Sequence, residues 1–241
     1  MPGEPVSLVS LVSLRSGGAF YLLLQLTDSA LPIGAYSHSW GLETAVQAGQ
    51  LRDRVGVQQY LLGVLHLSLA PFEGRACGLA YLRAQEGSPA ELRDLQAHLN
   101  AARWAAEPRQ ASLNLGKRLA QLAERTWGIQ PPTHAEEGLH HCLVFGWVCA
   151  AAGVGLEDAL RAYLFSALSG WVSAAVRLVP LGHSDGQALL ASLYEPIEQA
   201  LQQKIVPNLS LELGSQLSSF APLQERDGQA HQQLYSRLFQ S

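Results

Sequence analysis

From Leu156 to Leu178 the apolar residues fall at steps of three and four: Leu156, Leu160, Tyr163/Leu164, Ala167/Leu168, Trp171, Ala174/Ala175 and Leu178. That period lays one apolar stripe along a long helix, and such a stripe must be covered by other elements. No run elsewhere in the chain alternates β-branched with polar residues, so the covering elements are helices too. Start signals agree. Ser88-Pro89-Ala90-Glu91 and Thr133-His134-Ala135-Glu136 fit the capping box, as does Ser184-Asp185-Gly186-Gln187 after the break at Pro180-Leu181-Gly182. Pro89 and Pro108 sit where a first helical turn accepts proline.

The spacing predicts helices near 18–27, 35–48, 52–68, 70–86, 89–104, 108–126, 134–152, 156–178, 184–205 and 228–238. Short connections join them, so the expected fold is all-α: a single compact bundle of about ten helices with no sheet. Residues 1–19 are expected to be a flexible N-terminal extension and 20–207 the helical domain. Residues 208–241 form a serine-rich and then polar tail, interrupted by Pro222, with a turn at Asp227-Gly228. Such a tail is either loosely attached or ordered by a partner.

Composition bounds the function. Charged residues are 15% of the 241 and the hydrophobic set is 48%. That leaves too few charges to coat the whole surface, so apolar area is expected to be buried against another chain. A net charge of −4 gives a nucleic-acid partner no electrostatic support. Three cysteines without a Cys-x-x-Cys pattern fit a reduced, cytoplasmic setting. Val6–Leu14 is apolar but short and broken by serines. It has no basic segment before it, so neither a signal peptide nor a membrane anchor is expected.

The stretch Leu26–Glu43 stands apart from this Leu- and Ala-rich background. Pro32 and Gly34 stop any helix entering it, and Tyr36, Ser37, His38 and Ser39 then line up hydrogen-bonding groups where a new helix begins. Buried, each would need a partner. The run either holds a tight helix–helix elbow together or forms a contact surface.

Several chemistries are missing. Gly116-Lys117 is followed by Arg118 and lies mid-helix, which excludes a P-loop, and no Gly-x-Gly-x-x-Gly occurs. There is no Gly-x-Ser-x-Gly and no Asp-Asp-x-x-Asp. Eight histidines are scattered, with only His140-His141-Cys142 clustered, and neighbouring helical positions point about 100° apart. The spacings His134/His141 and Cys142/Cys149 leave weak metal sites open, with satisfied or solvent-facing histidines the default.

Two further groups of residues are candidates. Glu107-Pro108-Arg109 opens a helix, and Ser112 and Gly116 then stand four apart, where small residues let another helix approach closely. Arg177, Pro180, His183, Asp185 and Gln187 surround a sharp turn between two helices. Arg177 there favours the C-terminal end of its helix dipole and could be a simple cap.

Taken in order, these residues resemble the urease accessory protein UreF family, over nearly the whole chain after about residue 20. The resemblance rests on Ala30-Leu31-Pro32-Ile33-Gly34 with Ser37-His38-Ser39 and Gly41-Leu42-Glu43, on Glu107, Arg109 and Ser112 with Gly116, Arg118 and Leu119, and on His140 with Val144-Phe145-Gly146. Arg177-Leu178, Pro180-Leu181-Gly182, Asp185-Gly186-Gln187 and Ser236-Arg237-Leu238-Phe239 complete it. It implies an all-α homodimer that is not an enzyme and binds no cofactor or metal tightly. It would bridge a UreD/UreH-type scaffold and the GTPase UreG while nickel, handled by the assembled complex, is inserted into the urease apoprotein. It implies partner contact and activation control at Tyr36, Ser37, His38, Glu43, Glu107, Arg109, Ser112, Arg177, Pro180, His183, Asp185 and Gln187. Tail contacts fall to His231, Tyr235, Arg237, Leu238 and Phe239. His183 stands where the family usually has glutamine, Cys142 where it often has proline, and Leu223–Gln229 departs from the usual acidic-hydrophobic pattern. The competing expectation is a metallochaperone that binds nickel itself through His134, His141 and nearby thiols.

Overall fold

A computed structural model describes residues 18–88, 91–103, 105–132, 138–209 and 217–240. Among the described residues every regular element is helical, as expected. In chain order they are α1 (Gly18–Thr27), a 3-10 turn (Ala35–Ser37), α2 (Leu42–Gln47), α3 (Arg54–Val64), a π-helical stretch (Leu65–Gly74), α4 (Arg75–Glu86) and α5 (Leu92–Ala102). There follow α6 (Ala106–Trp127), α7 (His141–Ala151), α8 (Leu156–Leu178), α9 (His183–Ala191), α10 (Tyr194–Ala200), π and 3-10 turns to Asn208, α11 (Pro222–Ala230) and a 3-10 turn (His231–Gln233). The expected N-terminal extension lies, as far as residue 17, outside the described residues, as do 133–137 with their capping box and Pro89-Ala90 of another.

Helix α8 occupies the predicted span and is the central element, packing on α1, α2, α4, α7, α9 and the first π stretch. Its length and apolar composition would suffice to cross a membrane, but 56% of that apolar window is buried inside the protein. Helix α7 lies between α4 and α6 and is apolar nearly all round, with Leu143, Val144 and Val148 fully buried. Ser112 and Gly116 do permit a close approach. What approaches is the chain entering α7: a Cβ on Gly116 would sit 1.9 Å from the Leu139 carbonyl.

Several predicted helices are joined, subdivided or shifted. The break expected near Leu69 is absent, and the chain winds on from Arg54 to Glu86 through Pro71. Proline lacks the N–H that the Leu67 carbonyl would take in an α-helix, and wider π turns absorb the mismatch. The Leu67 carbonyl instead accepts from the Phe220 N–H of the tail at 2.8 Å. The predicted 35–48 helix is split, because His38 is extended and Trp40 and Gly41 both take left-handed backbone, φ 54° and 91°. The predicted 184–205 helix turns at Ser192, whose hydroxyl bonds back to the Leu189 carbonyl at 2.6 Å. Its start is capped by Asp185, which accepts from the Gly182 N–H at 3.3 Å, two residues earlier than the sequence pattern suggested. Finally, the helix expected at 228–238 lies at 222–230, with Pro222 in its first turn rather than interrupting it.

Candidate functional site

The stretch between α1 and α2 folds as an elbow held by its own polar groups. Ser37 donates its hydroxyl to the Gly34 carbonyl at 2.8 Å, and Arg118 of α6 donates to the Ile33 carbonyl at 3.0 Å. Ser39 is fully buried: its hydroxyl accepts from the Glu43 N–H and its carbonyl from the Trp171 indole of α8. Gly41 allows α11 to lie against the elbow, since a Cβ there would stand 3.0 Å from the Gly228 nitrogen. His38 is buried with its ring 5.4 Å from that of Trp40. Burial, then the charges of Arg118 and His231, lower its pKa to about 4, so the ring is neutral at neutral pH. Tyr36, by contrast, is exposed.

Onto this elbow the C-terminal tail is folded in cis. Glu43, only 2% exposed, is the hub. Its carboxylate accepts from the Leu238 N–H at 2.7 Å, the Phe239 N–H at 3.1 Å and His231 Nε2 at 3.0 Å. The other ring nitrogen of His231 lies 3.2 Å from Glu107 of α6, whose second oxygen is 3.6 Å from Arg237. Gln47 donates to the Ser236 carbonyl at 2.9 Å, and the Gln240 N–H to the Ser37 carbonyl at 2.8 Å. Phe239 is buried, and the Arg177 guanidinium lies 5.0 Å from its ring centroid. A tail expected to be loose or ordered by a partner thus packs against the chain's own body. The amides of residues 238 and 239 are used by a carboxylate, which is why no helix continues there.

The structure therefore brings Ser37, Glu43, Glu107, Arg177, His231, Arg237 and Phe239 together, with Tyr36, Tyr235 and Leu238 exposed. It does not bring Arg109 and Ser112 to that surface. Arg109 donates to the Arg103 carbonyl at 3.1 Å, and Ser112 is buried against His140. His140 has one ring nitrogen 3.0 Å from the Ser112 hydroxyl and the other 3.0 Å from Asn100 Oδ1. A neutral ring satisfies both, accepting from the hydroxyl and donating to the amide oxygen. Burial, with Arg103 and Arg109 behind it, lowers the His140 pKa to about 3. Pro180, His183, Asp185 and Gln187 form an exposed turn, and Arg177 also bonds back to Ser173 of its own helix at 3.2 Å. The capping geometry and the Phe239 contact coexist.

Sequence reasoning missed a second polar centre. Glu73 of the first π stretch is ion-paired with buried Arg103 and accepts from the Tyr163 hydroxyl at 2.6 Å. These groups line a cavity of about 150 Å³ together with Asp28, Tyr36 and Ser173. A carboxylate two residues after a proline in an otherwise apolar helix was the available signal. His141 meets the Phe145 ring edge-on at 6.0 Å and the Tyr163 ring at a tilt at 5.7 Å, and burial lowers its pKa to about 4. Cys77, Cys142 and Cys149 are buried, which pushes their thiols up and disfavours the thiolate that metal ligation needs. Among the described residues no three His, Cys, Asp or Glu side chains converge as a metal site, and His134 lies outside them.

The architecture is that of an all-helical protein whose polar residues are spent on docking its own tail to an interhelical elbow. The UreF family model matches residues 51–194, more than half of the chain. A urease accessory protein UreF of Alkalilimnicola ehrlichii is 35% identical over 225 residues, covering 91% of this chain and 94% of that protein. Proteins of the same name from Bacillus sp. (strain TB-90) and Actinobacillus pleuropneumoniae serotype 3 are 32% and 30% identical, covering 91% and 93% of this chain and 97% and 100% of theirs. The chain belongs to the urease accessory protein UreF family.

Proposed function

We propose that the chain is a non-catalytic adaptor in urease maturation. It works as a cytoplasmic homodimer that bridges a UreD/UreH-type scaffold and a UreG-type GTPase, so that GTP hydrolysis by the latter is coupled to nickel insertion into apo-urease. The observation that carries this reading is the composite surface made by the elbow and the tail. Tyr36, Tyr235 and Leu238 stand exposed on the hydrogen-bonded frame of elbow and tail, and tyrosine is among the residues on which interfaces concentrate their energy. The low charge content and the name of its relatives, urease accessory protein, support it.

The test is reconstitution. The full chain is expected to co-purify with UreD/UreH-type and UreG-type proteins and to support urease activation, and deletion of residues 221–241 to abolish both. A truncated chain that assembles and activates fully would defeat the tail assignment. Submicromolar, stoichiometric nickel binding by the isolated chain in calorimetry would favour the metallochaperone instead.

A further inference from the structure

We propose that closing of the C-terminal tail takes up one proton at His231, making the tail a pH-sensitive latch. Both ring nitrogens of this fully buried imidazole face carboxylate oxygens, Nε2 that of Glu43 at 3.0 Å and Nδ1 that of Glu107 at 3.2 Å. Ionised carboxylates only accept, so a neutral ring would direct a lone pair at one of them. The contrast with His140, where a hydroxyl faces one nitrogen, is drawn within the same molecule. The proton does not sit on a glutamate instead. Glu43 already accepts two backbone N–H groups as well as the ring, and Glu107 faces Arg237. With both carboxylates ionised, only an imidazolium donates on both sides.

The neighbouring charges leave this assignment in place. His38 lies behind the elbow beside Arg118 and is neutral down to about pH 4, so it adds no second proton in the histidine range. Asp227, one turn back on α11, holds Arg226 at 2.7 Å through one oxygen; its other oxygen is buried and makes no hydrogen bond to the ring of His231. Arg177 touches Phe239 rather than the ring of His231. In the open tail the ring faces water instead of two carboxylates, and nothing holds an N–H on both nitrogens. Closure therefore competes with deprotonation as pH rises, and the latch loosens.

The inference needs no partner and stands independently of the adaptor reading. Its test is amide hydrogen exchange of the isolated full chain from about pH 5.5 to 8.5, corrected for intrinsic rates. Protection of the Leu238 and Phe239 amides is expected to fall with rising pH, by up to about tenfold per pH unit for the single proton taken up. Amides inside α7 serve as the reference for global stability. Glu107→Gln offers Nδ1 an N–H donor and so allows a neutral ring; its tail is expected to stay protected with no such slope. Protection that is flat with pH in the natural chain, or an undiminished slope in Glu107→Gln, overturns the proposal.

Discussion

Glu43 uses both oxygens: one accepts the Leu238 amide, the other the Phe239 amide and the His231 ring. Removing this side chain leaves a buried ring nitrogen and two amides without their acceptor at once, a loss of about 3 kcal/mol or more. Glu43→Ala should therefore open the tail while leaving the helical core folded. Trypsin cleavage after Arg237 is the readout, expected to rise on the order of a hundredfold; unchanged cleavage would show that the tail is held elsewhere. Arg177 is a gentler case. Arg177→Ala removes a cation–π contact with Phe239 of about 0.5–1 kcal/mol and should leave the fold near native. Urease activation at matched expression is expected to change. If it does not, Arg177 is only a helix cap.

Elements show which parts of the sequence could be read. Helix α8 was legible to the residue because its stripe is continuous and the sequence after it, through Pro180 and Gly182, breaks the helix cleanly. The 35–48 segment was misjudged as one helix because Trp40, a bulky residue, takes left-handed backbone that local preference does not favour. That cost is met by tertiary contact. The 52–68 and 70–86 segments were misjudged in the other direction: they are one helical run, which continues through Pro71 where a tail amide supplies the missing partner. The elbow's composition announced a polar centre, but nothing local said that Glu43 and His231, 188 residues apart, would meet. The approach of α6 to the start of α7 offers a sharp test. Gly116→Ala would force a methyl group into the Leu139 carbonyl, and the expected destabilisation is about 3 kcal/mol, at the upper end for overpacking. Denaturant unfolding with an unchanged midpoint would mean that the two elements can separate at little cost.

For the whole molecule, acid should be the weak side. His38, His140 and His141 are buried with pKa values lowered to about 4, 3 and 4, whereas in the unfolded chain each titrates near 6.5. Between those values the unfolded state binds more protons, so stability falls as pH falls from about 6.5 toward 4. The slope approaches about 1.4 kcal/mol per pH unit for each ring. Thermal unfolding followed by circular dichroism should show the midpoint dropping steadily over that interval; a constant midpoint from pH 7 to 5 would contradict the neutral buried rings. The tail is expected to respond at the other end of the scale, loosening as pH rises where the core is at its most stable.

The bond from the Gln240 amide to the Ser37 carbonyl has a practical corollary. Any purification handle fused past that point would emerge next to Tyr36, on the face proposed for partners. Pull-down assays with such a fusion would understate binding, so the handle belongs at the opposite terminus.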